Sequence, residues 1–194
     1  MNNKLLNEED IFNETYTNES FNSLKVNNKS IDKTNFNKTS LISCTFENVS
    51  FDNVNFQNCD LSNTRFIDCS FRQSEFSNCK LVGAQFINNR ITNISINNCI
   101  AKYINIIDSP LKEFTISDSD LTEGSFYNVK LQKTRFNNVI LNECDFQETL
   151  LKDIDLSSCE INGLMLTPKC LKDAIISYDQ AATLVNLLGV KIKD

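Results

Sequence analysis

The residues able to do chemistry are notable first for what is missing. No histidine occurs in the 194-residue chain, which excludes imidazole general bases, His-based triads and imidazole-ligated zinc. Eight cysteines are present, and a thiol can serve as nucleophile, disulfide partner or soft-metal ligand. Their spacing speaks against those roles. There is no CxxC pair, and Cys44, Cys59, Cys69, Cys79, Cys99, Cys144 and Cys159 are all separated by multiples of five, with only Cys170 out of phase. Carboxylates are plentiful, 25 Asp and Glu against 19 Lys and Arg. They are scattered among polar neighbours, without the burial that splits a pair into general acid and general base. No Gly-rich phosphate loop and no nucleophile elbow appears. The expectation is a protein that is not an enzyme and holds no cofactor or metal.

The five-residue spacing of the thiols belongs to the element that positions them. Every fifth residue from Ile11 to Leu171 is apolar, counting Tyr16 and Ala101, and twelve of the fourteen Phe fall in this column, with Phe12 and Phe114 outside it. At 41% apolar residues the chance of such a run is on the order of 10^-13, so the period is the organising feature. The column two residues earlier holds small or medium side chains such as Thr34, Cys44, Val54, Cys59, Thr64, Ser74 and Ala84. Neither a 3.6-residue helix nor a period-two strand turns a large and a small residue inward at alternating separations of two and three. A three-residue extended segment followed by a corner does so. The other positions are mostly Asn, Asp, Ser, Lys and Glu, as an outer wall in water requires. With only 4 Gly and 2 Pro against 28 Asn in the chain, the corners must lean on Asn.

The stretches SCTFENVSFDNVNFQNCDLSNTRFIDCSFRQSEF and LTEGSFYNVKLQKTRFNNVILNECDFQ resemble the pentapeptide-repeat family, and the resemblance runs from residue 11 to 171. It implies an all-β solenoid, a right-handed quadrilateral parallel β-helix with four repeats per turn and about eight coils. Asn48, Asn53, Asn58 and Asn63 stand where the family favours Gly, and Asn tolerates the left-handed backbone that such a corner needs. A single coil cannot bury its Phe residues, whereas stacked coils set each on the one twenty residues away. Cys59, Cys79 and Cys99 would then stack about 4.8 Å apart, pointing the same way rather than at each other, as small buried side chains. Ala101, preceded by Ile100 and followed by Pro110, is either a seam between two half-rods or tolerated underpacking.

Three segments are expected: 1–10 as an N-terminal tail or cap, 11–171 as the β-helix, and 172–194 as a C-terminal helical cap and dimerisation segment. Ser177 to Gln180 fits a capping box, with Gly189 placed as a stop and VKIKD reading as a short terminal strand. The resemblance implies that such a tail joins two copies, through Tyr178, Ala181, Leu184, Val185, Leu187 and Leu188; the alternative is a monomeric cap. No apolar run reaches membrane-span length, and MNNKLLNEED lacks the hydrophobic stretch of an export signal, so the cytoplasm is the expected compartment.

The net charge of -6 disfavours direct nucleic-acid binding, which rests on clustered Lys and Arg, and favours a basic partner. Sorting residues 9–173 by wall with period twenty, the first wall (Ile31, Phe51, Phe71, Ile91) has ten bases against seven acids. The second (Phe36, Phe56, Phe76) has four acids against two bases, the third (Leu41, Leu61, Leu81) six against two and the fourth (Phe46, Phe66, Phe86) five against two. Asp60, Asp120, Glu123, Glu143 and Glu160, on the third wall, are the candidate partner-binding residues. The repeat-plus-tail layout resembles the quinolone-resistance (Qnr-type) group, which implies a DNA-mimicking binder of DNA gyrase or topoisomerase IV that gives quinolone protection. The departure is that no loops project from the walls. The alternative is a structural interaction scaffold with another partner.

Overall fold

The structure, a computed structural model, describes Leu5 and residues 10–185. It is a four-sided parallel β-helix of the right-handed kind, the hand that strand twist imposes on parallel crossovers. Each turn takes twenty residues, as the pairing Ile11 to Ile31, Phe51 to Phe71 and Ile91 to Leu111 shows. The walls are three-residue strands such as Thr45–Glu47 and Asn55–Gln57. Ser70–Ser77, Arg90–Asn97 and Leu111–Ser117 run as single long strands across the corner between first and second walls.

The corners form where the sequence supplies residues for them. Asn48, Asn53, Asn58 and Asn63 have φ of 55, 54, 54 and 57°, the left-handed region in which Asn is less strained than most residues. Corner Asn side chains also bond along the rod: Asn48 Nδ2 donates to Asn28 Oδ1 at 2.6 Å, and Asn128 Nδ2, from a corner at φ 53°, to Asp108 Oδ1 at 2.7 Å.

Inside, the every-fifth column is buried throughout the described residues except Leu131 and Leu171, which are half-buried. The rings stack coil on coil. Tyr16, Phe36, Phe56 and Phe76 follow at centroid spacings of 5.0, 5.0 and 4.7 Å, and Phe51 lies 4.6 Å from Phe71. Where Ile91, Ile96 and Ile106 replace the rings, Phe114 turns inward from the small-residue column and is 1% exposed. Truncating a ring such as Phe71 to Ala costs about 3 to 5 kcal/mol.

The region of Ala101 is no seam. Gln85, Asn105 and Ser125 pair in unbroken register, as do Lys80, Ile100 and Asp120. Ala101 faces the core beside Ile104, a large residue in the small column, so the two positions have exchanged sizes.

The stacking does change further along. After Phe146, Leu151, Leu156 and Ile161 the chain makes turns closed by a bond from the third following N–H, as in Thr149 N to Phe146 O at 3.1 Å and Ile154 N to Leu151 O at 3.0 Å. Earlier, among the described residues, only the third wall turns this way, as in Thr64 N to Leu61 O. The coil 131–140 therefore meets one of different corner shape. Among the described residues no backbone hydrogen bond joins 131–138 to 150–158. Three side chains bridge instead: Val129 N–H donates to Thr149 Oγ1 at 2.9 Å, Asn138 N–H to Ser158 Oγ at 3.2 Å, and Cys159 Sγ to Phe136 O at 3.7 Å. The third and fourth walls remain joined there, by Leu141 N to Glu160 O and Phe146 N to Met165 O.

At the far end Tyr178–Val185 is a helix. The capping box is present: Gln180 N–H donates to Ser177 Oγ at 3.3 Å and Ser177 N–H to Gln180 Oε1 at 2.8 Å. Gln180 Nε2 also donates to Leu156 O and Cys159 O at 2.8 and 2.7 Å. At the near end Leu5 is fully buried against the core, and Lys29 Nζ donates to its carbonyl at 2.7 Å. Leu187, Leu188, Gly189 and the VKIKD segment lie outside the described residues.

Candidate functional site: the outer face of the third and fourth walls

The thiols are all buried and free, and they do more than fill space. Cys59 N–H donates to Cys79 Sγ and Cys79 N–H to Cys99 Sγ, at 3.4 and 3.3 Å, and Cys99 N–H to Ser119 Oγ at 3.0 Å. Cys59, Cys79 and Cys99 in turn donate to carbonyls one coil back, Phe36, Phe56 and Phe76. The small column therefore satisfies corner backbone groups, and hydroxyl, thiol and the amide of Asn89 are interchangeable in it. Burial pushes the Cys69 thiol up to about 11 and that of Cys144 up to about 12, so neither is a nucleophile at neutral pH. Among the described residues no three Cys, Asp or Glu converge as a metal site, and no helix is long and apolar enough to cross a membrane.

The candidate acids stand on the third wall in two groups. Asp60 is apart, accepting from Ser62 N and Oγ at 3.0 and 2.6 Å. Asp120, Glu123, Glu143 and Glu160 share neighbouring coils. Asp120 repeats the turn contact with Thr122 and takes Lys102 Nζ at 3.3 Å. Burial raises its pKa, but the Thr122 bonds and Lys102 outweigh this and hold the carboxyl below the usual range. Glu123 and Glu143 occupy left-handed corners, each at φ 57°, with side chains in solvent. Glu160 Oε2 accepts from Asn142 Nδ2 at 3.1 Å. The adjoining fourth wall adds Asp108, Asp145 and Glu148. From residue 100 onward these two walls hold seven carboxylates and a single base, Lys102, which is already paired.

The same two walls carry a feature that sequence reasoning missed. Ile67, Ile87, Ile107 and Tyr127 occupy one outward line of the fourth wall, in direct register from coil to coil. The isoleucines are half-exposed and Tyr127 is 42% exposed. Ile100 and Tyr103 stand out from the third wall, 48% and 47% exposed. The corresponding line of the second wall is polar throughout, with Asn37, Gln57, Ser77, Asn97 and Ser117. The fold itself therefore has no need of apolar residues there. Reading every twentieth residue from Ile67 would have revealed the line.

The first wall is the basic one, and its charges are partly neutralised by neighbours twenty residues away. Arg72 pairs with Asp52, and Lys133 with Glu113 at 3.0 Å.

At the end of the rod, Leu184 is buried against the last coil, whereas Tyr178 is 93% exposed. Ala181 and Val185 line an apolar groove with Pro168, Leu171, Ala174 and Ile176.

The family model described as the pentapeptide repeat region matches residues 15–96 and 39–123, and that of pentapeptide repeats (8 copies) matches 119–157. The chain belongs to the pentapeptide repeat family. No curated protein matches it. Solved structures similar to this pentapeptide repeat protein include HetL, involved in heterocyst differentiation regulation in the cyanobacterium Nostoc sp. strain PCC 7120. The identity is 12%, with 86% of each chain covered and a TM-score of 0.46. QnrB1, a plasmid-mediated fluoroquinolone resistance protein, is 14% identical over 95% of this chain and all of that one, at a TM-score of 0.40. The catalytic domain of a GH87 alpha-1,3-glucanase is 13% identical over 83% of this chain and 42% of that one, at 0.39.

Proposed function

We propose that this pentapeptide repeat protein is a non-enzymatic, cytoplasmic binding rod whose third and fourth walls take a basic protein surface. The observation that supports this reading is the concentration of seven carboxylates against one paired base from residue 100 onward. Those groups span about three coil spacings, or roughly 14 Å. Duplex DNA carries roughly 8 phosphate charges over that length at one per 1.7 Å, so the local charge density approaches that of DNA although the rod as a whole falls far short. The DNA-binding surface of a type II topoisomerase, DNA gyrase or topoisomerase IV, is the specific partner proposed. Two rods joined through Tyr178, Ala181 and Val185 at the C-terminal ends would present the surface twice.

The test is a gyrase supercoiling assay with and without a fluoroquinolone, run beside a direct binding measurement at two salt concentrations. Reversing Asp120, Glu123, Glu143 and Glu160 to Lys should weaken binding, as should added salt. Reversing Lys112, Lys130 and Lys133 on the first wall should have little effect. Absence of inhibition, protection and complex at tens of micromolar and low salt sinks the topoisomerase assignment. Light scattering tests the dimer, since a monomer at micromolar concentration leaves the tail as a cap only.

A further inference from the structure

We infer that the line Ile67, Ile87, Ile107 and Tyr127 is a docking rail for an amphipathic helix flanked by Lys and Arg, laid along the rod axis. This rests on the acidic-surface reading above and names the form of the partner that the surface takes. Four outward apolar residues in consecutive coils make a continuous ridge, paired by backbone register and not by chance of side-chain conformation. Left bare, it costs the free energy of keeping apolar surface in water, and the second wall shows that Asn, Gln and Ser serve the same position.

Spacing and charge together select the occupant. Coils repeat at about 4.8 Å, and successive turns of an α-helix at about 5.4 Å. A helix lying along the ridge therefore keeps three or four apolar side chains, at i, i+3 or i+4 and i+7, over consecutive rungs before drifting out of step. Across the third and fourth walls together, eleven acids stand against four bases. A second copy laid on this face would set like charges together, and an anionic lipid surface would be repelled. A helix with basic flanks instead meets Asp108 and Glu148 on one side of the ridge, and Asp145 with the third-wall acids on the other.

The test uses the full chain and a fluorescein-labelled 15-residue Leu/Lys amphipathic helix, read by anisotropy. Its controls are a scrambled peptide of the same composition and an otherwise identical helix with Glu in place of Lys. The Leu/Lys helix should bind at micromolar concentration, the scrambled peptide at least tenfold more weakly, and the Glu helix not at all. Ile87→Ser/Ile107→Ser should lower affinity at least tenfold with unchanged circular dichroism and melting temperature. Equal binding of the scrambled peptide, or full affinity in the serine variant, overturns the rail. If the serine variant keeps affinity while the Asp120, Glu123, Glu143 and Glu160 reversals lose it, the rail fails and the acidic surface stands. If the helix binds as expected but the topoisomerase assays are blank, the partner assignment fails and the rail stands. If the Leu/Lys helix does not bind at all, the rail is overturned whatever the topoisomerase assays show.

Discussion

A Cβ added to Gly124 would lie 3.1 Å from Ile104 Cγ2 and 2.8 Å from the Leu121 carbonyl oxygen, so the glycine and the isoleucine form one packing unit across a coil boundary. Between Cys44 and Cys144, Ile104 is the one large residue of a column that otherwise reads Thr64, Ala84 and Gly124. Gly124→Ala should destabilise the rod by about 1 to 3 kcal/mol, the usual cost of overpacking. In a double-mutant cycle with Ile104→Ala the penalty should shrink by at least about 0.5 kcal/mol, as measured by urea unfolding. Strict additivity would show that Ile104 is not the obstruction.

Cys69 should carry an alkaline limb of stability. Burial raises its folded pKa to about 11, above the ordinary thiol value of 9.0. The folded state therefore holds the proton more tightly. The contribution is fully present below about pH 9 and is lost as pH rises from there through about 11. Cys69→Ser keeps a donor for the Phe46 and Ile67 carbonyls but does not titrate in this range. Denaturant midpoints at pH 8 and pH 10.5 should fall further apart in the wild type than in the variant; an identical pH dependence refutes the assignment.

Thr134 is 6% exposed and its hydroxyl has no hydrogen-bond partner, in the coil that precedes the half-open boundary. Replacing a buried, unsatisfied hydroxyl by a methyl of similar shape removes a desolvation penalty. Thr134→Val should raise stability by about 1 kcal/mol, whereas Thr39→Val, which loses the bond to the Tyr16 carbonyl at 3.2 Å, should lower it. Calorimetric melting of the two variants checks the contrast.

Gln180 is a helix cap and an end-plug at once. Gln180→Ala leaves the Cys159 carbonyl and the Ser177 N–H without their partner and the Leu156 carbonyl with only its turn bond from Cys159 N–H, and should cost about 1 to 3 kcal/mol. Hydrogen exchange should show the loss confined to Tyr178–Val185 and the last coil, with amides near Phe56 unchanged. Uniform loss along the rod would mean that the end plug is coupled to the whole stack.

The inward half of this fold was legible because every coil reuses the same two inward positions, so Phe46, Phe66 and Phe86 repeat one signal many times. The Asn corners were legible for the same reason. Ala101 looked like a break because one column was read alone; beside Ile104 it is an exchange of sizes. The outward line from Ile67 to Tyr127 escaped because an isolated Ile among polar residues is unremarkable until residues twenty apart are laid side by side. The bonding role of the thiols escaped because Cys was weighed as a reactive group or as a small side chain, not as a hydrogen-bond donor and acceptor for the corner backbone. The altered boundary depends on turn closure after Phe146, a property of backbone geometry that residue type does not announce.

That boundary bears on how the rod responds to force. Pulled end to end, the coils are loaded in series, and the load on each junction is the same whatever its strength. The junction before residue 150 is held by backbone bonds on two sides and by three side-chain links on the others, so it should yield first and hinge open along its first-wall edge. A tether at each terminus would therefore record an early, short extension from the C-terminal coils, while the phenylalanine-stacked length from Tyr16 to Phe86 still behaves as a stiff strut.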